Sequence, residues 1–198
     1  EHLAKALDAW DRFDHGRSKN LLENVSKSAN DVRAALGSTR GDRVLDGIRR
    51  LAKHFEQVVS ARPPSLHHVI DLLANARRRK EEGRIDDAVA RLYRAIEAIA
   101  QVALKGRHNI ESTEKVPLEQ VPESLRSLWM AKSNDGVVAL GLQDAYALLT
   151  ALRDPVGEKF QDMGLSGATS PLVARNRSIL AHGFERVSDP VFDKLWSS

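Results

Sequence analysis

The 198-residue chain has no cysteine and no long apolar run. Without cysteine it forms neither a disulfide nor a thiolate zinc site, so a reducing, cytoplasmic location is expected. No apolar run approaches the ~20 residues that cross a bilayer and no signal peptide is recognisable, so no membrane partner is expected. Because no segment alternates apolar and polar residues as a half-buried strand does, the predicted fold class is all-α.

Motifs for nucleotide or metal chemistry are also missing from the sequence. It contains no P-loop and no paired acidic metal motif, and the adjacent His67 and His68 fall on different faces of a helix. We therefore expect no metal and no other cofactor. The formal net charge of +3 and the pI near 9.3 make the chain mildly basic, which permits RNA binding without requiring it.

Apolar residues at helical spacing are present through most of the chain. Arg62-Pro63-Pro64 interrupts this pattern, since a residue before proline avoids helical angles. We expect an N-terminal helical segment at 1–64 and a main helical domain at 65–198. The first residue, Glu1, is not methionine and falls within a predicted helix, so a longer parent protein is expected. Helices are predicted at 2–13, 20–36, 42–59, 65–80, 87–105, 122–130, 143–153, 155–163, 170–183 and from 189 onward.

Two further predictions concern the segments between and at the ends of these helices. Residues 106–120 are polar and without period, so they are predicted to form a loop. Arg77-Arg78-Arg79-Lys80 ends one helix, where basic side chains complement the negative end of the helix dipole. A track for substrate phosphates is the less favoured interpretation of this basic run.

The stretch from Ser170 to Gly183 carries the most informative pattern. Ser170 is suited to cap a helix that Pro171 begins and Gly183 ends, giving about three turns. At 100° per residue, Arg175 and His182 are two turns apart and almost in line. The small residues Ala174, Ser178 and Ala181 form a strip beside them.

From spacing alone, an arginine and a histidine at a helix edge are most often solvated or paired. However, Arg175-Asn176 followed by His182 resembles the RNA-cleaving motif of HEPN domains, an arginine and a polar residue followed by a histidine. Six residues lie between Arg175 and His182, and four lie between Arg177 and His182. Arg175 is favoured because it has the polar follower and shares the face of His182.

The resemblance extends to the run 9–15 and the span 71–97, in the same order as the late stretch 174–183. Together these segments are similar to the C-terminal HEPN portion of CRISPR-associated accessory ribonucleases of type III systems. The resemblance implies a HEPN-like helical bundle with additional N-terminal helices. Members of this group of ribonucleases usually carry an N-terminal CARF sensor domain that binds cyclic oligoadenylate. No βαβ pattern is present here, so that sensor is expected upstream of Glu1.

The resemblance also implies an activity, a metal-independent endoribonuclease acting on single-stranded RNA. The 2′-hydroxyl attacks the adjacent phosphorus and leaves a 2′,3′-cyclic phosphate. His182 would transfer the proton and Arg175 would hold the phosphoryl oxygens. Asn176 would orient the site, and Ser178 would permit close approach of a second copy in a homodimer with a composite active site.

Five more side chains are supporting candidates. Glu97, flanked by Arg94, either orients Arg175 or forms a solvent-facing pair with Arg94. Arg177, and Arg91 predicted toward solvent, are candidates for RNA phosphate contacts, as is Arg186.

Two alternatives to this ribonuclease stay open from the sequence. One is a catalytically silent HEPN module for interaction or RNA binding, and the other is a HEPN toxin of a toxin–antitoxin pair.

Overall fold

A computed structural model of the chain describes residues 1–166, 170, 172–173 and 187–197. Among these residues it contains ten α-helices, one 3-10 helix and one two-stranded sheet, which confirms the all-α prediction. The described chain divides into two compact units, Glu1–His67 and His68–Ser198. No helix within the described ranges has the length and apolar character needed to cross a bilayer.

The first unit is built from four helices, of which the second packs against the first and the fourth, and the third packs against the fourth. Asp14 caps the second of them, because its side chain accepts a hydrogen bond from the backbone N of Arg17 at 3.2 Å. Leu22 and Phe55 are fully buried between the helices. The four helices are α1 (His2–Asp11), α2 (His15–Lys27), α3 (Ala29–Leu36) and α4 (Ser38–Ser60).

The predicted single helix at 20–36 is wrong, because the structure divides it at Ser28. This residue has φ −91° and ψ 33°, outside the helical region, and its backbone N bonds to the carbonyls of Asn24 and Val25. The apolar spacing continues on both sides of Ser28, so periodicity alone carried no signal for the change of direction.

The second unit holds the remaining helices, the first of which begins at the boundary between the units. Asp154 caps α9 through the backbone N of Val156 at 2.9 Å, with Pro155 in the first turn. These helices are α5 (Leu66–Glu81), α6 (Ile85–His108), α7 (Glu123–Met130), α8 (Leu142–Ala151), α9 (Pro155–Asp162) and α10 (Asp189–Ser197).

The predicted loop at 106–120 is wrong in part. Helix α6 continues to His108, and β1 (Val116–Pro117) pairs antiparallel with β2 (Val137–Val138), Val116 opposite Val138. Both of these valines are buried. The strand partners lie about 20 residues apart in sequence, and each strand is only two residues long. Neither segment therefore shows the alternation of apolar and polar residues that would predict a strand.

The core of the second unit lies between α6, α8 and α9. Tyr146 stacks on Phe160 with ring centroids 3.7 Å apart, and its hydroxyl donates to the carbonyl of Ile96 at 2.8 Å. Helices α8 and α9 approach so closely that a Cβ on Gly157 would lie 2.4 Å from the backbone N of Thr150. Glycine at this position therefore sets the distance between the two helices.

Candidate active site

The structure describes both flanks of the predicted motif but not the motif itself. Ser170 Oγ accepts a hydrogen bond from the backbone N of Leu172 at 3.2 Å, and Leu172 and Val173 are helical. These contacts agree with a helix start at Ser170. The remaining candidate residues of this stretch lie outside the described residues: Arg175, Asn176, Arg177, Ser178, His182 and Arg186.

The flanks are anchored to the second unit on both sides of the motif. Leu172 is 2% exposed and belongs to the large buried cluster that forms the core of the second unit. The backbone N of Val187 donates to Asp86 Oδ1 at 3.0 Å, at the start of α6. The residues before the motif are therefore held in the core, and those after it are held at the start of α6.

A row of buried polar side chains lies on α5, the first helix of the α5–α6 helical hairpin. Asp71, Asn75 and Arg79 are 1%, 0% and 5% exposed. They are four residues apart in sequence, which places them on one face of the helix. Burying such groups is costly unless each finds a hydrogen-bond partner, so this face is built around polar contacts and not around apolar packing.

Helix α6 supplies one of these contacts. Arg91 Nε donates a short hydrogen bond to Asn75 Oδ1, and Arg91 Nη1 donates to the backbone carbonyl of Asp87 at 3.1 Å. The carboxylate of Asp87 also pairs with Arg84. Arg79 Nη2 donates to Glu82 Oε1 at 3.1 Å. The polar row thus continues into a charged network at the end of the hairpin where the chain turns from α5 into α6.

The prediction that Arg91 faces solvent is wrong. Its side chain is only 22% exposed, because it reaches across the hairpin to Asn75. A guanidinium held in this way acts within the protein and is a poor candidate for contacting RNA. The sequence did contain a signal for the polar row, since Asp71, Asn75 and Arg79 repeat every four residues along α5.

The basic run at the end of α5 is also engaged within the chain. Arg77 Nε donates to Glu81 Oε1 at 3.1 Å, Arg79 pairs with Glu82, and Lys80 pairs with Asp193. Lys80 Nζ also lies 4.6 Å from the ring centroid of Phe192. These pairs favour a structural role for the run over a track for phosphates.

Arg94 and Glu97 form an ion pair on α6 at 3.1 Å, with side-chain exposures of 44% and 33%. Arg94 Nη1 also donates to Gln101 Oε1 at 3.0 Å, and Gln101 Nε2 donates to Thr113 Oγ1 at 3.2 Å. Among the described residues, Glu97 therefore contacts Arg94 and forms the pair that the sequence had left as one of two possibilities. A contact between Glu97 and Arg175 stays a prediction.

No group of three or more histidine or acidic side chains gathers in metal-binding geometry within the part of the chain that the structure describes. The chemistry of the described hairpin is instead that of hydrogen-bonded guanidinium, amide and carboxylate groups. Such groups hold and orient other side chains more readily than they transfer protons near neutral pH.

Comparison with known proteins assigns the chain to a family. A family model described as the Csm6 HEPN domain matches residues 57–197, which include α5 to α10 and every candidate position of the late motif. Searches of curated proteins and of solved structures found no significant match. The family match spans well over half of the chain, so this protein belongs to the Csm6 HEPN domain family.

Proposed function

We propose that this chain is a metal-independent endoribonuclease that cleaves single-stranded RNA in CRISPR type III antiviral defence. The observation that carries the proposal is the Csm6 HEPN domain match over 57–197, which contains Arg175 and His182 at the spacing of an RNA-cleaving motif. In this reaction the 2′-hydroxyl of the RNA attacks the adjacent phosphorus. The products are a 2′,3′-cyclic phosphate and a 5′-hydroxyl.

Each motif residue has a role that follows from its chemistry. His182 is the titratable group that exchanges a proton near neutral pH. The planar fork of Arg175 binds two phosphoryl oxygens and stabilises the charge that grows in the transition state. Asn176 orients these groups, Ser178 allows a close neighbour, and Arg177 contacts an RNA phosphate.

The α5–α6 hairpin supports this proposal from the described side. Val187 is bonded to Asp86 at the start of α6, and Asp71 and Asn75 form a buried polar face on α5. We assign Asp71 and Asn75 as positioning residues that hold the motif side chains by hydrogen bonds. Glu97 contributes in the same way from its half-buried position on α6.

Assembly and control belong to the same proposal. Two copies form a two-fold homodimer whose motifs line one composite cleft. Cyclic oligoadenylate activates the domain through a CARF sensor outside residues 1–198, in the cytoplasm.

The test is cleavage of an end-labelled single-stranded RNA by wild type, Arg175→Ala and His182→Ala in excess EDTA. We expect wild type to cleave and both variants to lose at least 10²-fold in rate, about the contribution of one general acid–base group, with melting temperatures unchanged. Arg12→Ala is the matched control, because Arg12 is an exposed arginine paired with Asp8. The product should carry a cyclic phosphate, identified by mass spectrometry.

Two outcomes would contradict the proposal. Full activity in both motif variants would remove Arg175 and His182 from the mechanism. RNA binding without cleavage by wild type, at concentrations where sedimentation shows a dimer, would favour the silent interaction module.

A further inference from the structure

The net positive charge of the chain is concentrated in its first unit. Residues 1–67 contain 12 of the 30 Lys and Arg and 9 of the 27 Asp and Glu, so they carry the whole formal charge of +3. Residues 68–198 contain equal numbers of both signs. The basic character of the protein is therefore a property of the unit that contains no candidate catalytic residue.

Much of this charge lies along one helix. Arg40, Arg43, Arg50 and Lys53 of α4 are all exposed, and we call these four residues the basic track. Arg40, Arg43 and Arg50 fall within about 80° of each other around the helix axis, and Lys53 follows one turn after Arg50. At 1.5 Å per residue, the track extends over about 20 Å.

The residues of the basic track have no ion-pair partner among the described residues, unlike their neighbours. Arg33 pairs with Asp42 at 2.7 Å and Arg49 pairs with Asp46 at 2.8 Å. Asp42 and Asp46, the acidic residues within the track, are thus already paired. The four cations spread over about 140° of the helix surface and remain available to an external anion.

The surface around the track is open. A Cβ built on Gly47, which lies between Arg43 and Arg50 on the same face, meets no atom within 4 Å. Beside Lys53 lies a groove between α2 and α4 with a volume of about 470 Å³; Lys27 lines its opposite wall, and Glu23 and Glu56 also line the groove. Lys27 is exposed as well. A linear chain can therefore lie along α4 without displacing any side chain of the core.

We propose that the basic track binds the phosphate backbone of single-stranded RNA, as a holding site apart from the catalytic motif. A row of cations about 20 Å long matches a linear polyanion better than a small ligand, and guanidinium groups bind phosphate oxygens bidentately. Binding of this kind depends on salt and is independent of sequence. The choice of RNA as the polyanion rests on the proposed function.

The experiment measures binding of a fluorescein-labelled 20-nucleotide RNA by anisotropy between 50 and 200 mM salt. All proteins carry His182→Ala so that the RNA stays intact. We compare Arg43→Ala/Arg50→Ala with Arg12→Ala/Arg33→Ala. Both pairs of substitutions remove two exposed arginines from the first unit, but Arg12 and Arg33 are already paired with Asp8 and Asp42.

The track variant should bind RNA about tenfold more weakly at 100 mM salt, with a salt slope smaller by about 1 to 1.5, because each phosphate contact on a single strand contributes about 0.7. The control variant should stay within twofold of its parent. Equal losses of RNA affinity in both variants would show a general charge effect. No loss of affinity in either variant would show that the track does not bind RNA. Both results overturn the inference. Equal displacement of the RNA by polyglutamate of the same charge would also overturn it.

The result is separable from the proposed function. If wild type does not cleave RNA but the track variant still loses affinity, the proposed activity fails and the holding site stands. If wild type cleaves and the two variants bind alike, the holding site fails and the activity stands.

Discussion

Oδ2 of Asp154 lies 2.8 Å from Nε2 of His108, which joins the last residue of α6 to the N-cap of α9. Oδ2 is also 2.9 Å from Nε of Arg107, and the Asp154 side chain is 1% exposed. Its other oxygen accepts from the backbone N of Val156 at 2.9 Å. One buried carboxylate therefore holds two helix ends together.

Asp154→Ala should lower the free energy of unfolding by about 2–4 kcal/mol, because it removes a helix cap and the buried carboxylate that Arg107 and His108 both contact. Urea denaturation followed by circular dichroism measures this. Asp144→Ala is the control, since Asp144 is 36% exposed in its pair with Lys132 and such pairs contribute about 0–1 kcal/mol. Equal effects in the two variants would show that Asp154 is not a joint between the helices.

Gly157→Ala and Gly106→Ala should have opposite effects on stability. A Cβ on Gly157 would lie 2.4 Å from the backbone N of Thr150, so α8 and α9 must separate, at a cost of about 1–3 kcal/mol. A Cβ on Gly106 in α6 meets no atom within 4 Å, and alanine there should stabilise the helix by about 0.5–1 kcal/mol. Thermal unfolding of both variants checks the signs; a stabilised Gly157→Ala would refute the close helix packing.

Stability should fall in alkaline solution through Tyr146. Burial raises the pKa of the Tyr146 hydroxyl above its ordinary value. The unfolded chain therefore loses this proton first, and the contribution of the protonated phenol to stability decreases as pH rises above about 10. Tyr146→Phe removes this titration, so the loss of stability between pH 9 and pH 11 should be smaller in the variant.

At pH 7 the same Tyr146→Phe variant should be less stable by about 0.5–1.5 kcal/mol, through loss of the hydrogen bond to Ile96. Tyr93→Phe is the control for a tyrosine that is only partly buried. Parallel pH profiles for wild type and Tyr146→Phe would contradict the assignment.

Asp71→Asn should impair RNA cleavage more than it impairs folding. Asp71 is proposed to hold the motif side chains, so its loss should misplace them relative to the reacting phosphate. We expect kcat to fall at least tenfold and KM to change less than twofold, with the melting temperature close to that of wild type. A purely structural role would lower the melting temperature together with the rate.

The control for Asp71→Asn is Arg77→Ala on the same helix, where the exposed Arg77 pairs with Glu81. It should leave the rate unchanged. Asn75→Ala should resemble Asp71→Asn in rate, because Asn75 is assigned the same positioning role; it also removes the amide oxygen to which Arg91 donates.

Sequence analysis predicted most helices because their patterns are local. The apolar stripe of α6 repeats at helical spacing within the segment itself. The adjacent residues Asp154 and Pro155 mark the start of α9, because they are typical of a helix N-terminus. The motif from Arg175 to His182 could be recognised for the same reason, since it is defined by residue type and spacing along the sequence.

The errors arose where distant residues decide the outcome. Val116 becomes a strand only because Val138 pairs with it, and Arg91 is removed from solvent only because Asn75 lies opposite on α5. Neither partner is visible within a local window of sequence.

The amino-acid sequence by itself determined the helical class, the family resemblance and the candidate motif, because each depends on residue type and local spacing. Only the tertiary structure decided which polar groups are buried and which cations stay unpaired. Burial and pairing depend on what a neighbouring helix places opposite each side chain, and that neighbour is fixed by packing of the whole unit.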